Sequence, residues 1–348
     1  MKAFLVLEDK TVLLGNSFGA EKSSSGEVVF STAMTGYVEA LTDPSYAGQI
    51  LVLTYPLVGN YGVPNSSLFQ SKKIQVSGLV VTCHSLNPSH HQSQKTLDVW
   101  LKENFVPGIS GIDTRALTQK LCHHGTMLGK IIVGKDNPEF YDPNKENVVA
   151  KVSLKKPEFF QTKGNGKTVC LLDCGYKKAI LNSFLQRGVS VWVIPWNYNP
   201  FEKKLSFQGI VISNGPGDPK MADESIQIAA FAIKNNLPTL GICLGSQILA
   251  LAAGGKTFKL KFGHRSVNQP VKDLKTGHCF ITSQNHEFAI DTETLPKGWH
   301  PWFVNLNDQT CEGIFSENQQ FLGVQFHPEG HPGPEDTWWV FDEFVRKL

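Results

Sequence analysis

The second half of the chain alternates short apolar runs with amphipathic stretches, and that alternation sets the expected fold. Thr168–Leu172, Ser190–Ile194, Gly209–Ser213 and Thr239–Ile242 each read as a buried strand of β-branched and aliphatic residues. Lys177–Arg187 and Asp223–Asn235 carry a helical period between them. Strands alternating with helices predict a parallel, doubly wound sheet whose ligands bind beyond the carboxyl ends of its strands. Shorter strand-like runs follow at Cys279–Ser283, Phe303–Asn305, Gly313–Phe315 and Phe321–Phe326, and Asp336–Lys347 reads as a closing amphipathic helix.

The first half is less regular. Lys2–Leu7, Thr11–Leu14, Glu27–Ser31, Gln49–Leu53 and Ser77–Thr82 read as strands, Thr96–Glu103 and Asp113–Leu121 as helices. Asp113 suits an N-cap and Gly125 the residue past a helix end. This mixture predicts an α+β domain. Turn formers and charges cluster afterwards, with a short strand expected around Val148–Leu154. The expected organisation is a first domain over residues 1–150, a linker over 151–167 and a second domain over 168–348.

Composition narrows the function classes. A net charge of +2 gives no reason to expect nucleic acid or an anionic membrane as partner. No apolar run is long enough to span a bilayer, and the opening residues read as a strand rather than a leader. Seven scattered cysteines fit reduced thiols, so a cytoplasmic setting is expected. His84, His90, His91, His123 and His124 lack ligand-like spacing, so no metal is expected.

Candidate chemistry centres on Leu237–Gly255. An apolar strand runs into Cys243, which sits between Gly241 and Gly245, and a helix follows. A thiol on a tight strand-to-helix turn resembles a nucleophile elbow: the turn exposes the sulfur, and the helix N-terminus favours the thiolate and offers free N–H groups to an oxyanion. The plain alternative is an inert core cysteine. A second run, Phe321–Glu329, ends a strand in His327, stops it with Pro328 and adds Glu329, a base followed by a group able to orient it. Gly215-Pro216-Gly217 follows another strand and lets backbone approach a ligand closely, with the N–H groups of Gly217 and Leu244 able to converge on an oxyanion. No Walker loop is present, so any ATP would be bound by another polypeptide.

Asn214-Gly-Pro-Gly217, Gly241-Ile-Cys-Leu-Gly-Ser-Gln247 and His327-Pro-Glu329 resemble the signature stretches of triad (class I) glutamine amidotransferases. Met34–Tyr46, Tyr55–Gly62, Gly108–Leu117 and Ser283–His286 resemble the small, glutaminase subunit of carbamoyl-phosphate synthetase, over nearly the whole chain. The resemblance implies a Cys243–His327–Glu329 triad that hydrolyses glutamine to glutamate and ammonia through a thioester. It implies glutamine held by Ser45, Gly215, Gly217, Leu244, Gln247, Asn285 and Phe288, with Glu287 offering its N–H. It implies no cofactor in this chain. It implies as partner a large subunit that uses ATP, Mg and bicarbonate to make carbamoyl phosphate for arginine and pyrimidine synthesis.

The chain departs from the family pattern at Glu287, where the family has glycine, at Arg265-Ser266-Val267, where it has His-Gly-Gly, at Gly330-His331, and at Thr82–Ser85. Two other readings therefore stand beside the active glutaminase. One is a non-catalytic or weakly glutamine-binding regulatory partner of the same synthetase. The other is a hydrolase of γ-glutamyl peptides with the same triad.

Overall fold

The computed structural model describes Met1 to Leu348 except Asn165 and Lys204. The chain divides into two compact units, Met1–Glu146 and Asn147–Leu348.

The first unit is built on seven strands: β1 (Lys2–Leu7), β2 (Val12–Gly19), β3 (Ser24–Ser31), β4 (Gln49–Leu53), β5 (Gly78–Val80), β6 (Pro107–Ser110) and β7 (Met127–Val133). They close into a barrel in the order β1-β2-β6-β5-β4-β3-β7, with β7 returning antiparallel to β1. β6 and β7 are absent from the strands expected above. β7 carries a period-2 signal, since Met127, Gly129, Ile131 and Val133 are buried and the residues between them are half-buried. The helices Leu97–Glu103 and Thr114–His124 start where the caps place them. Thr96 accepts from the Val99 N–H and Asp113 from the Ala116 N–H. Val29, Leu51, Leu79 and Trp100 belong to one buried apolar cluster of this unit.

The second unit starts before the expected boundary, because the stretch treated above as a linker is folded onto it. Val148–Leu154 is not a strand. It holds a short helix, Val149–Val152, with the Asn147 side chain accepting from the Ala150 N–H. Asp173 then accepts from the Leu154 N–H, and β8 (Glu158–Phe160) pairs antiparallel with the strand Ser190–Pro195. The turn-forming composition reflects caps and tight corners rather than a free tether. Asn165, inside that stretch, lies outside the described residues.

The sheet continues with β9 (Thr168–Asp173), β10 (Ser190–Pro195), β11 (Gly209–Ile212), β12 (Thr239–Ile242), β13 (Lys256–Asp273), β14 (Cys279–Asp291), β15 (Trp299–Asn305), β16 (Cys311–Ser316) and β17 (Phe321–Val324). The order is β8-β10-β9-β11-β12-β17-β16-β14-β13-β15. From β10 to β17 the strands run parallel, as the alternation predicts. The remainder is an antiparallel half dominated by two long strands, β13 and β14. The sequence shows only fragments of these. They bury polar side chains such as His264, Arg265, Gln284 and His286, so apolar periodicity does not mark them. Val169, Leu171, Leu240, Ile242, Phe326 and Phe341 share one core cluster of this unit. Among the described residues no helix is long and apolar enough to cross a membrane.

Candidate active site

Two parallel strands deliver the key residues to one rim. β12 pairs with β17 so that Ile242 lies opposite Val324. The next residue on β12 is Cys243, whose N–H donates to the Val324 carbonyl at 2.8 Å. Three residues beyond Val324 comes His327. β11 lies on the other side of β12, with Ile212 opposite Gly241, so Asn214, Gly215 and Gly217 leave the sheet at the same rim.

Cys243 sits at φ 54° and ψ −109°, a strained conformation for a residue with a Cβ. The helix Leu244–Ala252 starts immediately, and the Cys243 carbonyl accepts from Ser246 and Gln247. The Leu244 and Gly245 N–H groups therefore precede the first intrahelical donor. The elbow also depends on its flanking glycines. A Cβ on Gly241 would lie 2.4 Å from the Gly245 carbonyl oxygen, and one on Gly245 2.0 Å from that of Ile212. Both obstacles are backbone and cannot step aside. Gly245→Ala is expected to destabilise the chain by about 3 kcal/mol; a urea unfolding midpoint equal to that of the unsubstituted protein would show that the packing is looser than described.

The strand β14 meets both the thiol and the backbone of His327. The His327 N–H donates to the Ser283 carbonyl at 2.9 Å, and the Cys243 thiol donates to the Asn285 carbonyl at 3.5 Å. Residues 283 and 285 present their carbonyls to the same edge of β14, so nucleophile and base meet one strand edge two residues apart. The sulfur is not exposed as expected: Cys243 is only 1% accessible, because β14 lies along it.

From His327 a buried chain of charge runs inward. His327 Nδ1 lies 2.7 Å from Glu329 Oε1. Glu329 Oε1 lies 3.0 Å from Lys177 Nζ, which also donates to the Gly330 carbonyl at 2.6 Å. Burial opposes ionisation of Glu329, but the Lys177 ammonium and the His327 imidazole outweigh it and hold its pKa at about 2. An ionised carboxylate only accepts, so Nδ1 of His327 carries the hydrogen. The other nitrogen, Nε2, is buried without a partner. That nitrogen is the one open to take a proton.

Lys177, in contact with Glu329, is a member of this site that sequence reasoning missed. It was read only as the start of a helix, 152 positions from Glu329. The Asn214 side chain accepts from its backbone N–H at 3.0 Å, so the loop carrying Gly215 and Gly217 fixes where the lysine begins. A lysine just after a strand end is the one available signal, and it is a weak one.

The structure places the other expected site residues as follows. Gln247 lies one turn after Cys243 and donates to the Phe288 carbonyl at 2.7 Å and to Gln325 Oε1 at 2.9 Å. Leu244, Asn285, Glu287 and Phe288 are buried around the same rim. The Glu287 carboxylate lies 3.5 Å from the Arg265 guanidinium and 3.4 Å from the Lys259 ammonium. Two departures from the family pattern, Glu287 and Arg265, are thus charge partners. Ser45 belongs to the first unit, in a turn over Pro44–Tyr46 where Asp43 accepts from its N–H.

Residues 170–347 match the family described as glutamine amidotransferase class-I, and residues 5–131 match the carbamoyl-phosphate synthase small chain, CPSase domain. The chain is 48% identical over 358 residues to the carbamoyl phosphate synthase small chain of Archaeoglobus fulgidus, spanning 100% of this chain and 99% of that one. It is 45% identical over 364 residues to the small chain of Pyrococcus furiosus, spanning 100% and 98%. It is also 44% identical over 386 residues to the multifunctional protein URA2 of Saccharomyces cerevisiae, spanning 99% of this chain but 17% of that much longer protein.

Proposed function

The chain belongs to the carbamoyl-phosphate synthase small-chain family, and from that premise we propose that it hydrolyses glutamine to glutamate and ammonia for a large synthetase chain. The observation that carries the reading is His327, with Nδ1 committed to an ionised Glu329, Nε2 without a hydrogen-bond partner, and its backbone N–H on the strand edge that the Cys243 thiol also meets.

The steps follow from these groups. Nε2 of His327 takes the Cys243 proton, and the thiolate attacks the carboxamide carbon of glutamine. The amide oxygen gains charge and is met by the N–H groups of Leu244 and Gly217. The tetrahedral adduct collapses, its C–N bond breaks, and His327 returns the proton to the departing ammonia. Water, deprotonated by the same nitrogen, then attacks the thioester; glutamate leaves and the thiol is restored. Glu329 holds the imidazole in one tautomer throughout, and Lys177 keeps Glu329 ionised. Gly215, Gln247, Asn285, Glu287 and Phe288 line the glutamine site. No cofactor acts in this chain; ATP, Mg and bicarbonate belong to the large chain, and the setting is cytoplasmic.

A second reading, a regulatory partner that takes glutamine poorly, draws support from the covered thiol and from the buried carboxylate of Glu287. A chloroketone analogue of glutamine separates the two. Stoichiometric labelling of Cys243, blocked by glutamine, is expected for the glutaminase. Labelling no faster than that of Cys83, an exposed thiol, would favour the regulatory reading. Glutamate release should also rise when the large chain is added.

A further inference from the structure

Away from Cys243 and His327, the second unit buries a polar cluster built from four strands and a turn. His264 on β13 directs Nε2 at Asp308 Oδ2, 2.8 Å away, and Nδ1 at Glu312 Oε1 on β16, 3.3 Å away. Asn305, at the end of β15, donates to the same Glu312 oxygen at 2.9 Å. His286 on β14 brings Nε2 to 4.0 Å from that oxygen, and its ring meets the His264 ring edge-on with centroids 4.9 Å apart. Glu312 is fully buried.

This cluster is wired to both halves of the active site. The Glu312 backbone carbonyl accepts from the Gln325 N–H at 2.9 Å, two residues before His327. On the other side, His286 Nδ1 lies 2.9 Å from the Phe288 carbonyl, which also accepts from Gln247, one turn after Cys243. Glu312 therefore holds the segment bearing the base through its backbone. Through its side chain it holds His264 on β13, the residue paired with His286 on the strand whose edge meets the thiol. Between β16 and β14 themselves, the pairing is confined to Ile290 and Cys311. β14 is laddered at this height to β13 instead, through His264–His286, Arg265–Asn285 and Ser266–Gln284, so the contact of Glu312 with His264 is what ties that strand pair to β16 here.

We propose that Glu312 and His264 are positioning residues for the Cys243–His327 pair, their buried ion pair setting where β14 lies against the segment that carries His327. Burial disfavours a charged His264, but Glu312 and Asp308 outweigh it and raise its pKa above the usual histidine value. Burial also lifts the Glu312 carboxyl and drives His286 well below the histidine range. His264 thus carries the cluster's positive charge, facing Asp308, Glu312 and the neutral His286. His264, His286 and Glu312 also present three ligand-type atoms within 4.8 Å of one another. His264 places one nitrogen on Asp308 and the other on Glu312 Oε1, and His286 Nε2 lies 3.2 Å from Gln284 Oε1, while Glu312 Oε2 has no hydrogen-bond partner.

The kinetic readout rests on the glutaminase reading; a second readout does not. In the full chain, Glu312→Gln and His264→Gln are each expected to lower kcat/KM for glutamine about tenfold, mostly in kcat, with the double variant no worse than the lower single. The rate of Cys243 alkylation by iodoacetamide, followed against pH, should shift its midpoint in the same variants. If Glu312→Gln does not fold, Asp308→Asn carries the test from the exposed end, with the same direction and a smaller effect. An unfolding midpoint that falls while kcat/KM and the alkylation profile stay put would overturn the proposal. So would multiplicative effects in the double variant, or stoichiometric zinc in the purified protein whose removal stops turnover. If the unsubstituted chain releases no glutamate, the glutaminase reading fails, and the alkylation profile alone decides the positioning role.

Discussion

Cys243→Ala is expected to abolish glutamate release, with a loss of at least about 10⁴-fold, because the remaining groups cannot form the thioester without the sulfur. The fold should barely notice. One buried sulfur atom is lost, at a cost of about 1 kcal/mol. The backbone adds a control. At φ 54° a Cβ is strained, so Cys243→Gly should be as inactive as the alanine variant yet more stable by about 1 kcal/mol. Glutamate release by an enzyme-coupled assay, beside thermal unfolding of all three proteins, reads both effects. Residual turnover within tenfold of the unsubstituted chain would remove Cys243 from the mechanism.

Lys177→Met is expected to be the most damaging change away from the sulfur. Lys177 and Glu329 are both buried, and methionine fills the space while leaving the carboxylate without its ammonium. Breaking a buried pair from one side costs about 3–5 kcal/mol. Turnover should fall on the order of 10²-fold or more, since Glu329 no longer stays ionised to fix His327 Nδ1–H. The pH dependence has a definite sign. The Glu329 pKa falls from 4.5 to about 2 on folding. Its contribution to stability is therefore present above about pH 4.5 and is lost as the pH drops towards 2. The unsubstituted protein should lose stability across that window, and the variant, weaker at neutral pH, should lose much less there. Parallel curves for the two proteins would show that Lys177 does not set the state of Glu329.

The catalytic rim was legible in the sequence because its signals are local. Gly241, Cys243 and Gly245 sit within five positions, and His327 and Glu329 within three. Parallel pairing of Ile242 with Val324 then brings the two groups together, as alternating strands and helices imply. What failed to show is what depends on distant partners. Lys177 finds Glu329 across 152 positions, and Glu312 finds His264 across 48. Neither pairing leaves a periodic trace. The barrel of the first unit closes through β7, whose partners β1 and β3 lie more than a hundred positions away. The covered thiol was missed for the same reason, since the strand lying along it is marked by polar rather than apolar residues.

Turnover by this route requires a bond that forms and breaks at one sulfur. Rapid acid quench of the chain with radiolabelled glutamine, followed by peptide mapping, looks for it directly. The expected result is a glutamyl thioester on the peptide holding Cys243, lost in Cys243→Ala and accumulating when His327 is replaced by asparagine less quickly than in the unsubstituted protein. Glutamate appearing at an undiminished rate with no label on Cys243, or with the label on another residue, would contradict it.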